Sequence, residues 1–159
     1  MYFVISGEVR LSRTSVTGQE IVLQRSRGGI LAEASVDQPR YHCDAVAAEE
    51  SKLLLVPRKV FEIALDDDIF RRKWVAHLVR ELRRLRAQAE RLSLNTTRER
   101  IVHFIETEGD GNAVSLVGTR KEWAAELGVS HEALYRTLAK MQNKGEIEVD
   151  GRTVRIRFS

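Results

Sequence analysis

The chain has 159 residues, of which 43% are hydrophobic and 31% are charged, and Cys43 is its single cysteine. This composition is typical of a folded protein with one ordinary domain or two small ones, and it excludes a disordered chain. One cysteine excludes an internal disulfide and a multi-cysteine metal centre. No apolar run approaches the roughly 20 residues of a membrane span, and the N-terminus lacks a signal-peptide pattern. We therefore expect a cytoplasmic protein without a membrane partner.

The net charge of +3 is concentrated in residues 66–95, which contain eight basic and five acidic side chains. Residues 1–65 and 96–159 are each neutral. The overall charge is therefore a weak indication of nucleic-acid binding, and the positions of individual side chains must decide.

Residues 1–65 alternate short apolar runs with turn signals, a pattern that predicts strands of an antiparallel β-roll. The segment Thr17-Gly18-Gln19 predicts a hairpin turn, and a short helix is predicted over residues 60–65. Strand alternation places Val9 and Leu11 on one face. The opposite face is predicted to carry Glu8, Arg10 and Ser12.

Residues 66–95 contain the clearest helix, predicted over residues 68–94. Its apolar positions recur at alternating spacings of three and four, which is the seam of a two-helix coiled coil: Val75, Leu78, Leu82, Leu85, Ala89 and Leu92. The remaining face is crowded with Arg80, Arg83, Arg84, Arg86 and Arg91. We predict a homodimer along this seam, and packing of the helix on its own domain stays open as the alternative.

Residues 96–159 predict three capped helices and a hairpin. Capping boxes begin at Thr96 and Thr119, and Ser130 caps the third helix. Gly128 lies between the second and third helices, as a helix-turn-helix requires, and the final two strands flank the turn Asp150-Gly151. This arrangement is typical of a winged helix-turn-helix.

The sequence resembles the CRP/FNR superfamily of bacterial transcription regulators along nearly its whole length. The family's middle β-roll strands are similar to FVISGEVRLSR, its Gly-Glu turn to GGILAEAS and its recognition element to LGVSHEALYRTLAKMQNKG. The resemblance implies an α+β fold with a partial, cyclic-nucleotide-binding-like β-roll, a long dimerisation helix and a winged helix-turn-helix. The sequence also begins inside the family's β-roll, so we expect the family's first strands to be missing.

The resemblance implies a sequence-specific regulator that binds double-stranded DNA as a homodimer, with RNA polymerase as a further candidate partner. Glu132 and Arg136 match the family's base-contacting residues, and His131 stands where many members have arginine. The spacing of four makes Glu132 and Arg136 neighbours on one helix face. Phosphate contacts are expected from Thr119, Arg120, Ser130, Lys140 and Arg152.

A candidate effector pocket is assigned to Glu33, Arg40, His42 and Cys43. Members that bind cyclic AMP have an Arg-Ser pair after the Gly-Glu turn, and here the pair falls at His42 and Cys43. A neutral imidazole and a thiol cannot replace the charged fork of an arginine, so cyclic AMP is not expected. Arg40 lies nearby and could reach another anion. We predict no cofactor and leave the effector unidentified.

Catalysis is not expected, because adjacent residues on a strand point to opposite faces and His42 cannot activate Cys43. A structural role is favoured for Cys43. His42 and Asp44 could share one face, but no completing metal ligand is found in the sequence, so no metal site is predicted. Two alternatives stay open: a redox-sensing or haem- or metal-sensing binding module, and a dimeric interaction protein without an operator.

Overall fold

The computed structural model describes residues 1–16, 18 and 20–157, with Glu20 described by its backbone alone. The chain divides into two compact units, Met1–Val75 and Ala76–Ser159. Thr17 and Gln19 of the predicted hairpin turn lie outside the described residues. Gly18 has a φ of +80°, and its N–H donates to the carbonyl of Ser15 at 2.9 Å.

The described part of the first unit has two antiparallel sheets of three strands each, in the orders β4-β1-β6 and β3-β2-β5. The strands are β1 (Tyr2–Ser6), β2 (Val9–Thr14), β3 (Glu20–Ser26), β4 (Gly29–Leu31), β5 (Asp44–Ala47) and β6 (Lys52–Leu55). A short 3-10 helix, Glu33–Ser35, follows β4, and helix α1 (Arg58–Asp66) follows β6. The predicted antiparallel β architecture and the short helix after it are confirmed.

The core of the first unit is small. Its buried residues are Val4, Val9, Leu11, Leu31 and Ala32. Glu8 and Ser12, predicted on the face opposite Val9 and Leu11, are buried as well, each 5% exposed. Strand β2 is the central strand of its sheet, and its register with β3 shifts between Leu11 and Ser12. The extra residue is Leu23 on β3, because Leu11 pairs with Gln24 and Ser12 pairs with Val22.

Glu8 is buried among arginines. Its carboxylate accepts from Arg10 Nε at 2.7 Å, lies 3.4 Å from Arg25 Nη1 and forms an ion pair with Arg27. Burial alone would raise the pKa of Glu8, but the hydrogen bonds and positive charges of Arg10 and Arg27 together lower it. A buried carboxylate is therefore held ionised in the first unit.

The long helix α2 spans Asp68–Ser93, in agreement with the predicted limits of 68–94. The second unit continues with α3 (Thr97–Glu108), β7 (Ala113–Ser115), α4 (Arg120–Glu126), α5 (His131–Asn143), β8 (Ile147–Asp150) and β9 (Thr153–Ile156). The sheet has the order β7-β9-β8 and is antiparallel. The winged helix is confirmed, with the three-residue strand β7 in addition to the predicted hairpin.

Helix caps fix the starts of the three short helices. Thr96 and Thr119 each form a complete capping box, with Glu99 and Glu122 respectively. The hydroxyl of Ser130 accepts from the backbone N–H of Ala133 at 3.1 Å. All three predicted caps are therefore present, and they satisfy N–H groups that have no partner within the helix.

Arg91, one of the arginines predicted on the face of α2 beside the seam, is buried. It is 0% exposed. Its guanidinium donates to Thr107 at 3.1 Å and to Glu108 at 3.2 Å, and it lies 4.5 Å from the ring centroid of Phe104. The partners on α3 explain the burial, because they supply a carboxylate and an aromatic face for the charge.

Candidate nucleic-acid interface

Helix α5 has two chemically distinct faces. Leu134, Leu138 and Met141 are buried in the core of the second unit. The side chains on the other face are exposed: His131, Glu132, Tyr135, Arg136 and Lys140. The predicted base-contacting residues are thus brought together on one accessible helix face, and their buried neighbours hold that face in place.

The charged groups of this face are available for a ligand. In the described part of the chain, Arg136 and Lys140 form no ion pair, and none joins Glu132 to Arg136. Hydrogen bonds from its own backbone N–H and from Ser130 lower the pKa of Glu132. The helix therefore presents a carboxylate acceptor beside a guanidinium donor.

Tyr135 links the start of α5 to the start of α4. The sequence places it on the exposed face of the recognition helix that fits a major groove, without assigning it a base or phosphate contact. Its ring centroid lies 4.5 Å from that of His131. The guanidinium of Arg120 lies 5.6 Å from the same ring and also donates to the carbonyl of Gly151 in the wing turn at 3.2 Å. The spacing of four between residues 131 and 135 was the signal in the sequence that could have indicated this ring pair.

The residues predicted to contact phosphates differ in how they are engaged. Thr119 and Ser130 use their hydroxyl oxygens to accept from backbone N–H groups at the starts of α4 and α5. Arg120 lies beside the wing turn, and Lys140 and Arg152 are exposed. The helix starts and the wing turn therefore carry the predicted donors.

Gly128 forms the turn between α4 and α5 with a φ of +65°, as predicted for a left-handed position. A Cβ atom there would lie 2.6 Å from Cδ2 of Leu92 and 3.1 Å from Nη1 of Arg100. Glycine is therefore favoured by the left-handed conformation, and the turn packs closely against the ends of these two side chains.

The apolar seam of α2 is uncovered in the described part of the chain. Val75, Leu78, Leu82, Leu85 and Leu92 are between 39% and 59% exposed, and Ala89 is also exposed. Packing of this face on its own unit would have buried these side chains.

Of the four predicted effector residues, Arg40 lines a cavity of about 180 Å³ in the first unit, together with Tyr41, Leu55, Val56, Arg58 and Phe61. The carboxylate of Glu33 accepts from Gln24 at 3.2 Å, His42 is exposed, and Cys43 packs against the small core.

Membrane-spanning helices and metal centres are both absent from residues 1–16, 18 and 20–157. No helix in these ranges is long and apolar enough to cross a membrane. No group of three or more His, Cys, Asp or Glu side chains among the same residues is arranged to hold a metal ion.

Comparison with known proteins identifies the family. The family model of the cyclic nucleotide-binding domain matches residues 1–68, and that of the Crp-like helix-turn-helix domain matches residues 75–157. The cyclic AMP receptor protein of Thermus thermophilus is 32% identical over 165 residues, covering 99% of this chain and 74% of that protein. The chain therefore belongs to the CRP/FNR family of transcription regulators, which is a regulator family and not a class of enzymes.

Solved structures share the fold. FixK2 from Bradyrhizobium japonicum superposes with a TM-score of 0.67 at 23% identity, covering 99% of this chain and 82% of that one. A CRP/FNR-family transcriptional regulator from Thermus thermophilus has a TM-score of 0.60 at 21% identity, covering 99% of this chain and 82% of that one. The α+β fold and the predicted family are both confirmed.

Proposed function

We propose that the chain acts in the cytoplasm as a homodimeric regulator that binds a pseudo-palindromic operator, with α5 in the major groove of each half-site. The observation that carries this proposal is the exposed polar face of α5 opposite its buried apolar face. Two recognition helices related by a two-fold axis would contact half-sites roughly 34 Å apart, which is one turn of DNA. We propose no catalytic activity, and RNA polymerase stays a predicted partner without assigned residues.

Within this proposal, Arg136 reads a guanine through its O6 and N7 atoms. Glu132 accepts from a cytosine amine or orients the guanidinium, and His131 contacts a neighbouring base. The available donor and acceptor on one helix face support this assignment, since no ion pair within the described chain occupies them. Thr119, Arg120, Ser130, Lys140 and Arg152 are proposed to contact phosphates, which contributes affinity without sequence information.

The test compares Arg136→Ala with Lys140→Ala, a second exposed cation on the same helix. An operator is first selected from random DNA with the wild-type protein. Arg136→Ala is expected to cost about 1 to 3 kcal/mol on that operator and to relax discrimination at one base pair per half-site. Lys140→Ala is expected to weaken all sequences alike and to flatten the salt dependence. Equal loss of specific and nonspecific affinity in Arg136→Ala would make Arg136 a phosphate contact.

For the dimer, we propose that α2 pairs in parallel with the same helix of a second chain. The exposed seam, with its spacing of three and four over residues 75–92, supports this pairing. Arginines beside the seam keep charge at the edge of the interface and leave the centre apolar. Such an arrangement favours a two-helix interface over a surface helix in water.

The effector is proposed to be a small anion other than cyclic AMP. Arg40 and Arg58 line the cavity of the first unit together with the rings of Tyr41 and Phe61. A volume of about 180 Å³ is below the roughly 300 Å³ at which pockets for larger ligands begin. The Thermus thermophilus relative is a cyclic AMP receptor, but His42 and Cys43 replace the phosphate-binding pair here.

Titration calorimetry with cyclic AMP is expected to show weak binding or none, and low-micromolar binding would refute this part of the proposal. An absorption spectrum of the purified protein tests the haem-sensing alternative, which requires a visible absorption band. Failure of the wild-type protein to retard any genomic DNA would favour the interaction protein without an operator.

A further inference from the structure

The side chain of Arg100 joins two helix ends in the second unit. Its Nη2 donates to the carbonyl of Leu92 at 3.1 Å, and its Nε donates to that of Leu94 at 3.0 Å. Its Nη1 donates to the carbonyls of Leu127 at 3.0 Å and Gly128 at 3.1 Å. All three guanidinium nitrogens of Arg100 therefore donate hydrogen bonds to the backbone, and together they reach four carbonyls.

These carbonyls belong to the C-terminal ends of α2 and α4. Helix α2 ends at Ser93, and Leu127 is the C-cap of α4. Carbonyls at such ends lack a partner within the helix and carry partial negative charge, so a permanently charged, planar group suits them. No local pattern in the sequence indicates this role, because Arg100 sits in a charged stretch next to a capping box.

Two further observations place the turn and α4 close to α2. A Cβ on Gly128 would lie 2.6 Å from Cδ2 of Leu92 near the end of α2, and Arg84 Nη2, earlier in α2, lies 3.6 Å from the carboxylate of Glu126 at the end of α4. The turn is short: Gly128 is followed by Val129 and by the cap Ser130, where α5 begins. A shift of the turn therefore moves the start of α5, which carries His131 and Glu132.

We propose that Arg100 is a positioning residue that fixes the helix-turn-helix turn against the end of α2 and thereby sets the half-site spacing that the dimer accepts. This inference rests on the proposed function, because it assumes that α2 forms the dimer and α5 enters DNA. With α2 held by its partner, the guanidinium transmits the position of that helix to the turn. Loss of the guanidinium lets each recognition helix adjust separately.

The experiment measures affinity on a spacing series. The selected operator is altered by inserting or removing one or two base pairs between its half-sites, and each insertion displaces a half-site by about 3.4 Å and rotates it by about 35°. The full-length wild-type protein is expected to lose about tenfold or more per step. Arg100→Met is expected to bind the original operator more weakly but to lose less than about threefold per step.

Arg98→Met is the matched control. Arg98 lies on the same helix and forms one ion pair, with Glu146 at 2.6 Å, and it contacts neither α2 nor the turn through that bond. We expect it to keep the steep spacing dependence of the wild type. Arg100→Lys, which retains charge but loses the planar fork, is expected to give an intermediate series and serves as the test variant if Arg100→Met does not fold.

A parallel series, in which the Arg100 variants lose the same factor at every spacing, would overturn the proposal and leave Arg100 as a helix cap that only stabilises the fold. If the wild-type protein binds no DNA at any spacing, the proposed function fails instead. The two failures are thus distinguishable, since the first requires a wild-type protein that binds DNA with a steep spacing dependence and the second a wild-type protein that binds no DNA.

Discussion

The two units of the chain bury their apolar side chains to different extents. In the described part of the second unit, thirteen buried residues form one cluster under the recognition helix, whereas the first unit has five. Apolar side chains on the strands of the first unit stay exposed: Phe3, Ile5, Ile21, Leu23, Val46, Leu53, Leu54 and Leu55. The DNA-binding unit is therefore stabilised mainly by its own core, and the first unit depends more on strand pairing and on the ion pairs of Glu8.

The largest effect is expected from a charge in the seam, most of which lies in the second unit. Leu82→Glu should give monomers, because a buried carboxylate loses hydration without gaining a partner. Operator affinity should fall by about 10² to 10⁴, since the two half-sites are then bound independently. Sedimentation and DNA retardation measure the two consequences.

Arg83→Glu is the control for Leu82→Glu, because it places the same charge one residue away and off the seam. It should remain dimeric. An unchanged dimer mass for Leu82→Glu would contradict the proposed interface. Dimerisation would then not depend on the seam of α2.

A matched pair of substitutions compares the two cores directly and is expected to have an effect of intermediate size. Leu134 and Leu31 are both 0% exposed, one in each unit. Leu134→Ala should cost about 3 to 5 kcal/mol, and Leu31→Ala about 2 to 3 kcal/mol, because a cavity in a sparse core collapses more easily. Hydrogen exchange resolved by residue assigns each loss to its unit. Equal losses of unfolding free energy for Leu134→Ala and Leu31→Ala would contradict the inference that the second unit depends more on its own core.

The sequence predicted the second unit more accurately than the first, for a physical reason. The signals at Thr96, Thr119, Ser130 and Gly128 are local, since each acts on backbone groups within three or four residues, and all were confirmed. Burial in a sheet depends on neighbouring strands that are distant in sequence. The alternation rule placed Glu8 on one face with Arg10, consistent with their ion pair, but it could not anticipate the burial of Glu8 among the arginines of β3 and the following turn.

The difference between local signals and contacts from distant segments also applies within the candidate interface. The exposed face of α5 followed from helical periodicity and from the family resemblance, so its accessibility was predictable. The four carbonyls around Arg100 come from two other segments, and the burial of Arg91 depends on partners in α3. Neither contact has a signal in the local pattern, because a charged residue near a helix end is normally solvated.

The smallest expected effect tests the ion pairs that stabilise the first unit. Glu8→Gln should cost about 1 to 2 kcal/mol at neutral pH, because it removes charge-assisted hydrogen bonds to Arg10 and Arg27 and leaves their charges facing each other. The folded-state pKa of Glu8 lies below its usual value of 4.5, since the arginines outweigh the effect of burial. The stability contributed by its carboxylate is therefore fully present above pH 4.5 and is lost as the pH falls through the lowered folded-state pKa.

Urea unfolding between pH 7 and pH 3 should show a difference between wild type and Glu8→Gln that is constant at neutral pH and shrinks below about pH 4.5. Glu99→Gln in the second unit is the control. Its hydrogen bond to Thr96 also lowers the pKa of Glu99, but glutamine can keep the capping box and solvent screens the exposed carboxylate, so the change should be smaller. A difference for Glu8→Gln that stays constant down to pH 3 would mean that the shape of the side chain, and not its charge, stabilises the first unit. The two units would then differ only in the size of their cores.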